Sequence, residues 1–168
     1  MFLRHATYDD LEAVSGIYAK SWKHAYRGIV PQAYLDRLPE DFWIPFFSQR
    51  LDEGVYSVIV AQQDNTLLGC IVYGPSREES HADWGEICSI YVLPSWMGKG
   101  VGHLLLQYAL QKLQRIGFTQ VFLWVLEENT PSRRFYERHG FSFGGDRAQL
   151  TIEGVLLSEL RYVWRKST

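Results

Sequence analysis

One stretch constrains this chain more than any other: Ile90-Tyr91-Val92-Leu93-Pro94-Ser95-Trp96-Met97-Gly98-Lys99-Gly100-Val101-Gly102. An apolar strand runs into a proline stop, then three alternate glycines, then an amphipathic pattern several turns long. Such a turn leaves bare N–H groups at the positive end of a helix, where an anion, most often a phosphate, is the natural occupant. The glycines also have a second reading, a tight turn that needs positive φ and nothing more. Two phosphate motifs are excluded. A P-loop needs Ser or Thr after Gly-Lys, and Lys99 is followed by Gly100. A dinucleotide fingerprint needs G-x-G-x-x-G, whereas Gly98, Gly100 and Gly102 are spaced G-x-G-x-G.

The 168 residues suit one domain, 1–168, with a real core, and a hydrophobic fraction of 46% excludes a disordered chain. A net charge of −2, with Lys and Arg not gathered into one run, supplies no field for nucleic acid or an anionic membrane. No apolar stretch approaches a membrane span, and Met1-Phe2-Leu3-Arg4-His5 does not open a secretory signal. Cys70 and Cys88 sit in strand-like runs and read as small buried thiols, so the expected compartment is the cytoplasm.

Around the glycine turn the elements alternate. Phe2 to Ala6 reads as a strand, and Thr7 to Asp10 as the cap of a helix running through Leu11, Val14, Ile17, Tyr18 and Trp22. Pro31–Leu38 and Glu40–Leu51 read as two short helices. Two strands flank the hairpin turn Asp64-Asn65-Thr66, and Ser76 to Asp83 is a polar surface loop. Glu86 to Val92 is the strand feeding the glycines, with Glu86, Cys88 and Ile90 expected on one face. The helix after it should bury Val101, Leu104, Leu105, Tyr108, Ala109, Leu113 and Ile116. Val121 to Leu126 is a buried strand, Pro131 opens a helix ending at His139-Gly140, Phe141 opens a strand, and Val155–Trp164 is the last one. Strand-helix alternation from Glu86 to Phe143 with flanking hairpins gives an α/β fold on a mixed sheet.

Directly after the buried strand comes Asn129-Thr130-Pro131-Ser132-Arg133-Arg134-Phe135-Tyr136-Glu137-Arg138-His139-Gly140-Phe141. Together with Val92 to Gly102, in this order and spacing, it resembles the GNAT superfamily of acyl-CoA-dependent N-acetyltransferases. The match is to V-x-P, Q/R-x-x-G-x-G/A and N-x-x-S/A-x-x-F-Y-x-x-x-G-F. The resemblance implies a mixed central sheet flanked by helices, splayed between the strands ending at Val92 and Leu126. It implies acetyl-CoA as co-substrate in that splay, its pantetheine along the backbone of Ile90, Tyr91 and Val92. The pyrophosphate would meet the N–H groups of Met97, Gly98, Lys99, Gly100, Val101, Gly102 and His103, and Asn129, Ser132, Phe135 and Tyr136 would complete the cofactor site. Met97 stands where the family has Gln or Arg, which implies weaker CoA binding, with Lys99 as a compensating charge.

An amine acceptor is mostly protonated at neutral pH, so a base, an oxyanion donor and a proton for the departing thiolate are needed. Tyr136 falls at the family's tyrosine and is the candidate acid; its other reading is a core aromatic beside Phe135. Glu86 is the candidate base and an acceptor contact, or else a solvated strand end. Asn129 is either a ligand or a helix cap, and Ser132 and Arg138 either touch cofactor or lie on a helix surface. Trp22 and Tyr26, four apart, either line the acceptor side or pack on the sheet. Cys88 permits an acyl-cysteine, but with no histidine near it in sequence an inert thiol is the expectation. The five histidines show no metal-ligand spacing, so no metal is expected. The resemblance implies an N-acetyltransferase acting on a small-molecule amine, the alternative being a catalytically silent acyl-CoA-binding module. A homodimer is compatible with either; nucleic-acid and membrane partners are not expected.

Overall fold

Runs of alternating and continuous apolar residues assemble one seven-stranded sheet in the computed structural model, which describes residues 1–166. The strands are β1 (Phe2–His5), β2 (Ser57–Gln63), β3 (Thr66–Pro75), β4 (Gly85–Val92), β5 (Gln120–Leu126), β6 (Phe141–Ile152) and β7 (Val155–Arg165). Their order is β1-β2-β3-β4-β5-β7-β6. Every neighbouring pair is antiparallel except β4 and β5, which run parallel and pair only at Gly85–Val121 and Glu86–Phe122. Beyond Glu86 the two strands separate, and this opening is the expected splay.

The helices are α1 (Leu11–Ala25), α2 (Gln32–Arg37), α3 (Ile44–Glu53), α4 (Val101–Arg115) and α5 (Thr130–Arg138). One face of the sheet packs on α4 through Ile71, Leu105, Ala109, Leu123 and Tyr162, with Phe135 and Tyr136 of α5 at its margin. The other packs on α1 and α3 through Val60, Val72, Tyr18 and Phe47. A smaller cluster of Val30, Leu35, Leu126 and Leu157 joins α2 to the ends of β5 and β7. Among the described residues no helix is long and apolar enough to cross a membrane.

Two expectations need correction. The buried stripe of α4 is Val101, Leu105, Leu106, Ala109, Leu110 and Leu113, whereas Leu104 is 39% and Ile116 69% exposed. Leu106 and Leu110 carry the apolar face round to the sheet and turn Leu104 outward, and Ile116 lies past the last helical turn. The second correction is a β-bulge. Val72 pairs with Ser89 but Tyr73 pairs with Ile87, so Cys88 is an extra residue on β4. Ile87, Ile90 and Val92 therefore face α4, while Cys88 and Tyr91 face α1. Cys88 and Ile90 do not share a face.

The chain's entry into α1 is locked by charge. Arg4 donates two hydrogen bonds to Asp10, at 2.7 and 2.8 Å, and the Thr7 N–H and hydroxyl donate to the same carboxylate. Asp10 is 8% exposed, and the Arg4 guanidinium, chiefly, holds its carboxyl down to about 2. At about 1.4 kcal/mol per tenfold change in proton affinity, this hold contributes roughly 2 kcal/mol at neutral pH. The native carboxyl titrates below the unfolded one, so the contribution is full above the unfolded value and fades as pH falls through the folded one. Asp10→Asn should destabilise the protein by about 2 kcal/mol at pH 7 in urea titrations, with the difference shrinking between about pH 4 and 2.

Candidate active site

The splay is the centre of a cavity of about 500 Å³. Its walls are β4 from Ile87 to Val92, β5 from Leu123 to Val125, the glycine turn, α5 and the C-terminal end of α1. Past Glu86, β4 has a partner on its β3 side but none on its β5 side, so alternate N–H and C=O groups open into the gap. Backbone groups in such a gap ask for a ligand or water that can hydrogen-bond along the strand. The Val92 carbonyl already accepts from the Ser21 hydroxyl at 2.8 Å, which ties the end of β4 to α1.

At the mouth of the gap the backbone turns into an anion cradle. Gly98 and Gly100 adopt φ of 75° and 85°, a region L side chains rarely enter, and Gly100 is the N-cap of α4. The Leu104 N–H bonds the Gly100 carbonyl at 3.1 Å, so Val101, Gly102 and His103 have no helical acceptor for their N–H groups. No acidic residue stands in the first turn of α4. Gly102 packs beside Phe135, and an added Cβ would lie 3.4 Å from that ring, an ordinary contact. Met97, Gly98, Gly100, Gly102 and His103 all line the cavity. Val101 is fully buried and Lys99 does not line the wall; its ammonium stands 4.9 Å from the Trp96 ring centroid. The cation on the wall is Arg138.

Ile90, Tyr91, Val92, Asn129, Ser132, Phe135 and Tyr136 line the same cavity. Asn129 is 5% exposed and caps α5, its Oδ1 accepting from the Ser132 N–H at 3.3 Å. The Tyr136 ring packs against Phe135 and Phe141, but its hydroxyl has no hydrogen-bond partner among the described residues. Burial, first, and the neighbouring Tyr26 push the Tyr136 phenol well up from its ordinary value, so it keeps its proton.

The expected acceptor residues separate. Tyr26 lines the cavity, and its hydroxyl lies 2.9 Å from that of Tyr91, which the bulge turned toward α1. Trp22 is off the wall, packed edge-on against Tyr26 at 4.8 Å between centroids. Glu86 is also off the wall. It is 2% exposed, and both carboxylate oxygens accept from Arg77, whose guanidinium approaches to 2.5 Å and whose backbone N–H bonds at 3.0 Å. It sits at the closed end of the splay because it is in the last β4–β5 pair. Cys88 does line the cavity, but burial, then the Glu86 charge, push its thiol up to about 12.

Several wall residues escaped the sequence reading. His139 lies beside His103, Nε2 to Nδ1 at 2.8 Å, and its own Nδ1 is 2.7 Å from the Phe135 carbonyl. A carbonyl only accepts, so His139 donates from Nδ1 and, in the neutral pair, takes a proton bond from His103 at Nε2. His139 stands four residues after Phe135, a helical spacing that could have found it. Trp124 of β5 is another wall residue. Its indole donates to Glu78 at 2.8 Å, and the buried Arg161 lies over its ring at 4.8 Å. Glu78 also accepts from Arg161 at 2.6 Å, so this network pins the loop between β3 and β4 over the sheet.

The profile of the acetyltransferase (GNAT) family matches residues 18–141. Over 96% of its length the chain is 30% identical to the uncharacterized N-acetyltransferase YuaI of Bacillus subtilis, covering 91% of that protein. Its backbone is similar to the paia N-acetyltransferase of Thermoplasma acidophilum in complex with coenzyme A, with a TM-score of 0.77, 21% identity and 98% of each chain covered. It is also similar to yncA of Salmonella typhimurium with its cofactor acetyl-CoA, with a TM-score of 0.72, 24% identity, and 99% of this chain and 94% of that one covered.

Proposed function

The chain belongs to the acetyltransferase (GNAT) family, and from that premise we propose that it moves the acetyl group of acetyl-CoA to a primary amine of a small molecule by direct attack in a ternary complex. The observation that carries this reading is the Tyr136 phenol, protonated and without a hydrogen-bond partner among the described residues, on the wall of a cavity that begins at a helix N-terminus and ends among aromatic side chains. The cradle at Gly98, Gly100 and the first turn of α4 suits the pyrophosphate, with Arg138 nearby. The free edge of β4 suits the amide-bearing pantetheine arm. Tyr26, Tyr91 and Trp124 form an aromatic enclosure for a small amine rather than a track for a long basic peptide. The unpaired cysteines fit a reducing compartment, and we place the protein in the cytoplasm.

In the reaction the deprotonated nitrogen attacks the thioester carbonyl, a C–N bond forms and the C–S bond breaks. Tyr136 donates to the sulfur as negative charge develops and passes its proton to the thiolate. The nitrogen's second proton returns to the phenolate through water. Glu86, fixed by Arg77, fits a role in holding the 76–84 loop, and it would reach the acceptor as base only through intervening water.

Varying acetyl-CoA and amine together should give intersecting double-reciprocal lines. Parallel lines would indicate an acyl-enzyme, for which Cys88 is the candidate, and would overturn direct attack. CoA binding without turnover over a broad amine panel would instead favour the silent module. Met97 tests the cradle from another side. It lines the cavity at 38% exposure, so Met97→Arg adds a guanidinium near the pyrophosphate. Calorimetry should show CoA binding tightened by about threefold or more at low salt, the gain shrinking at high salt.

A further inference from the structure

β7 carries a carboxylate that the reaction above does not use. Glu159 pairs in register with Leu126 of β5 and Ala148 of β6. Two residues along, Arg161 pairs with Trp124, and Arg161 stacks on the Trp124 ring at 4.8 Å. Residues paired across a sheet share a face, so Glu159 stands diagonally beside Trp124, one position behind the residues that line the cavity. Leu157, two residues before it on that face, packs in one cluster with Leu126, Trp22 and Tyr26. The Tyr26 phenol lies within electrostatic reach of both Glu159 and Tyr136.

Glu159 and Arg161, both on this face of β7, are used differently. Arg161 is 6% exposed and committed to Glu78 at 2.6 Å and Asp146 at 3.6 Å. Glu159 is half-buried and makes no hydrogen bond or ion pair among the described residues. A carboxylate kept partly from water without a partner is poorly satisfied, and a cation from outside would complete it. Burial also pushes the Glu159 carboxyl up from the usual range, which makes it a better proton acceptor than a solvated carboxylate.

We propose that Glu159 receives the ammonium of the acceptor at the Trp124–Tyr26 wall and takes its proton, making it the general base of the transfer. The step balances. The ammonium gives one proton to the Glu159 carboxylate and becomes a free amine. That amine attacks acetyl-CoA as described, and Glu159 releases its proton to solvent after the acetylated product leaves. The net change is one amide, one CoA thiol and one proton.

This rests on the amine-acetyltransferase reading, and the experiment separates the two. The probe is 2-phenylethylamine, an aromatic primary amine, with 2-phenylethanol as its neutral counterpart. Turnover is followed by thiol release and product mass, and binding by calorimetry on the CoA-saturated protein. Glu159→Gln should lower kcat/KM at least about 100-fold, the lower end of general-base effects. It should weaken 2-phenylethylamine binding at least about tenfold and leave 2-phenylethanol and CoA binding within about twofold. Glu159→Asp should recover part of the activity. An active parent whose Glu159→Gln variant stays within about twofold in kcat/KM overturns the assignment alone. Equal losses for amine and alcohol also overturn it, since they mean a damaged wall. A parent that acetylates no member of a broad panel of primary amines, 2-phenylethylamine and 1,4-diaminobutane among them, removes the amine reading, and Glu159 falls with it.

Discussion

Tyr136→Phe should lower kcat by about 10²–10⁴-fold while leaving CoA affinity within about twofold. The ring stays, and with it the packing on Phe135 at 5.3 Å and Phe141 at 5.9 Å between centroids, so the fold should be unchanged. No protein hydrogen bond is lost among the described residues. On the proposed mechanism, what is lost is a donor that meets the sulfur only as charge develops there, and an interaction made chiefly in the transition state appears in kcat rather than in binding. Burial makes the effect large: a phenol pushed upward holds its proton across the neutral range, and less water is at hand to replace it. Stopped-flow thiol release alongside a CoA titration reads both quantities. A kcat within about twofold of the parent would make Tyr136 a packing residue.

Gly100→Asp should weaken CoA at least tenfold, about 1.4 kcal/mol, through two separable causes. Gly100 sits at φ 85°, so any L side chain there is strained, yet an added Cβ would meet no atom within 4 Å. The second cause is a negative charge at the N-terminus of α4, where the cradle favours an anion. Gly100→Asn separates them, since asparagine tolerates the left-handed region and is neutral. Asparagine should keep most of the affinity and aspartate should not. Equal losses would mean that strain alone disrupts the turn, and unchanged affinity in a folded aspartate variant would move the phosphates elsewhere.

The glycine turn was legible because proline, glycine and strand-helix alternation are local signals, whereas the splay and most wall residues of β4 and α5 followed only from the resemblance of two motifs in order and spacing. Asn129, for which ligand and cap were alternatives, turns out to combine capping with a place on the wall. What escaped depended on residues distant in sequence. The bulge at Cys88 is one extra residue in an apolar run, and neither Gly nor Pro marks it. It decides that Tyr91 meets Tyr26, a contact between α1 and β4 that no periodicity reveals. Glu86 looked available because its partner Arg77 comes from the loop, and loop conformation is the least readable part of a single sequence. Glu159 passed unnoticed inside Val155–Trp164, where a lone acid between Leu157 and Arg161 reads as an ordinary strand position. The pairing of Leu126 with Glu159 and of Trp124 with Arg161 is needed to bring it beside Trp124.

The central claim, acetyl transfer from acetyl-CoA to an amine without an acyl-enzyme, is tested most directly by mass spectrometry of one reaction mixture. Free CoA, acetylated amine and intact protein are quantified together, with and without the amine. One acetylated amine is expected for each CoA thiol released, with negligible thiol release without amine and no protein species heavier by one acetyl group. Stoichiometric acetylation of the protein before amine is added, or thiol release with no acetylated amine across a panel of primary amines, would contradict it.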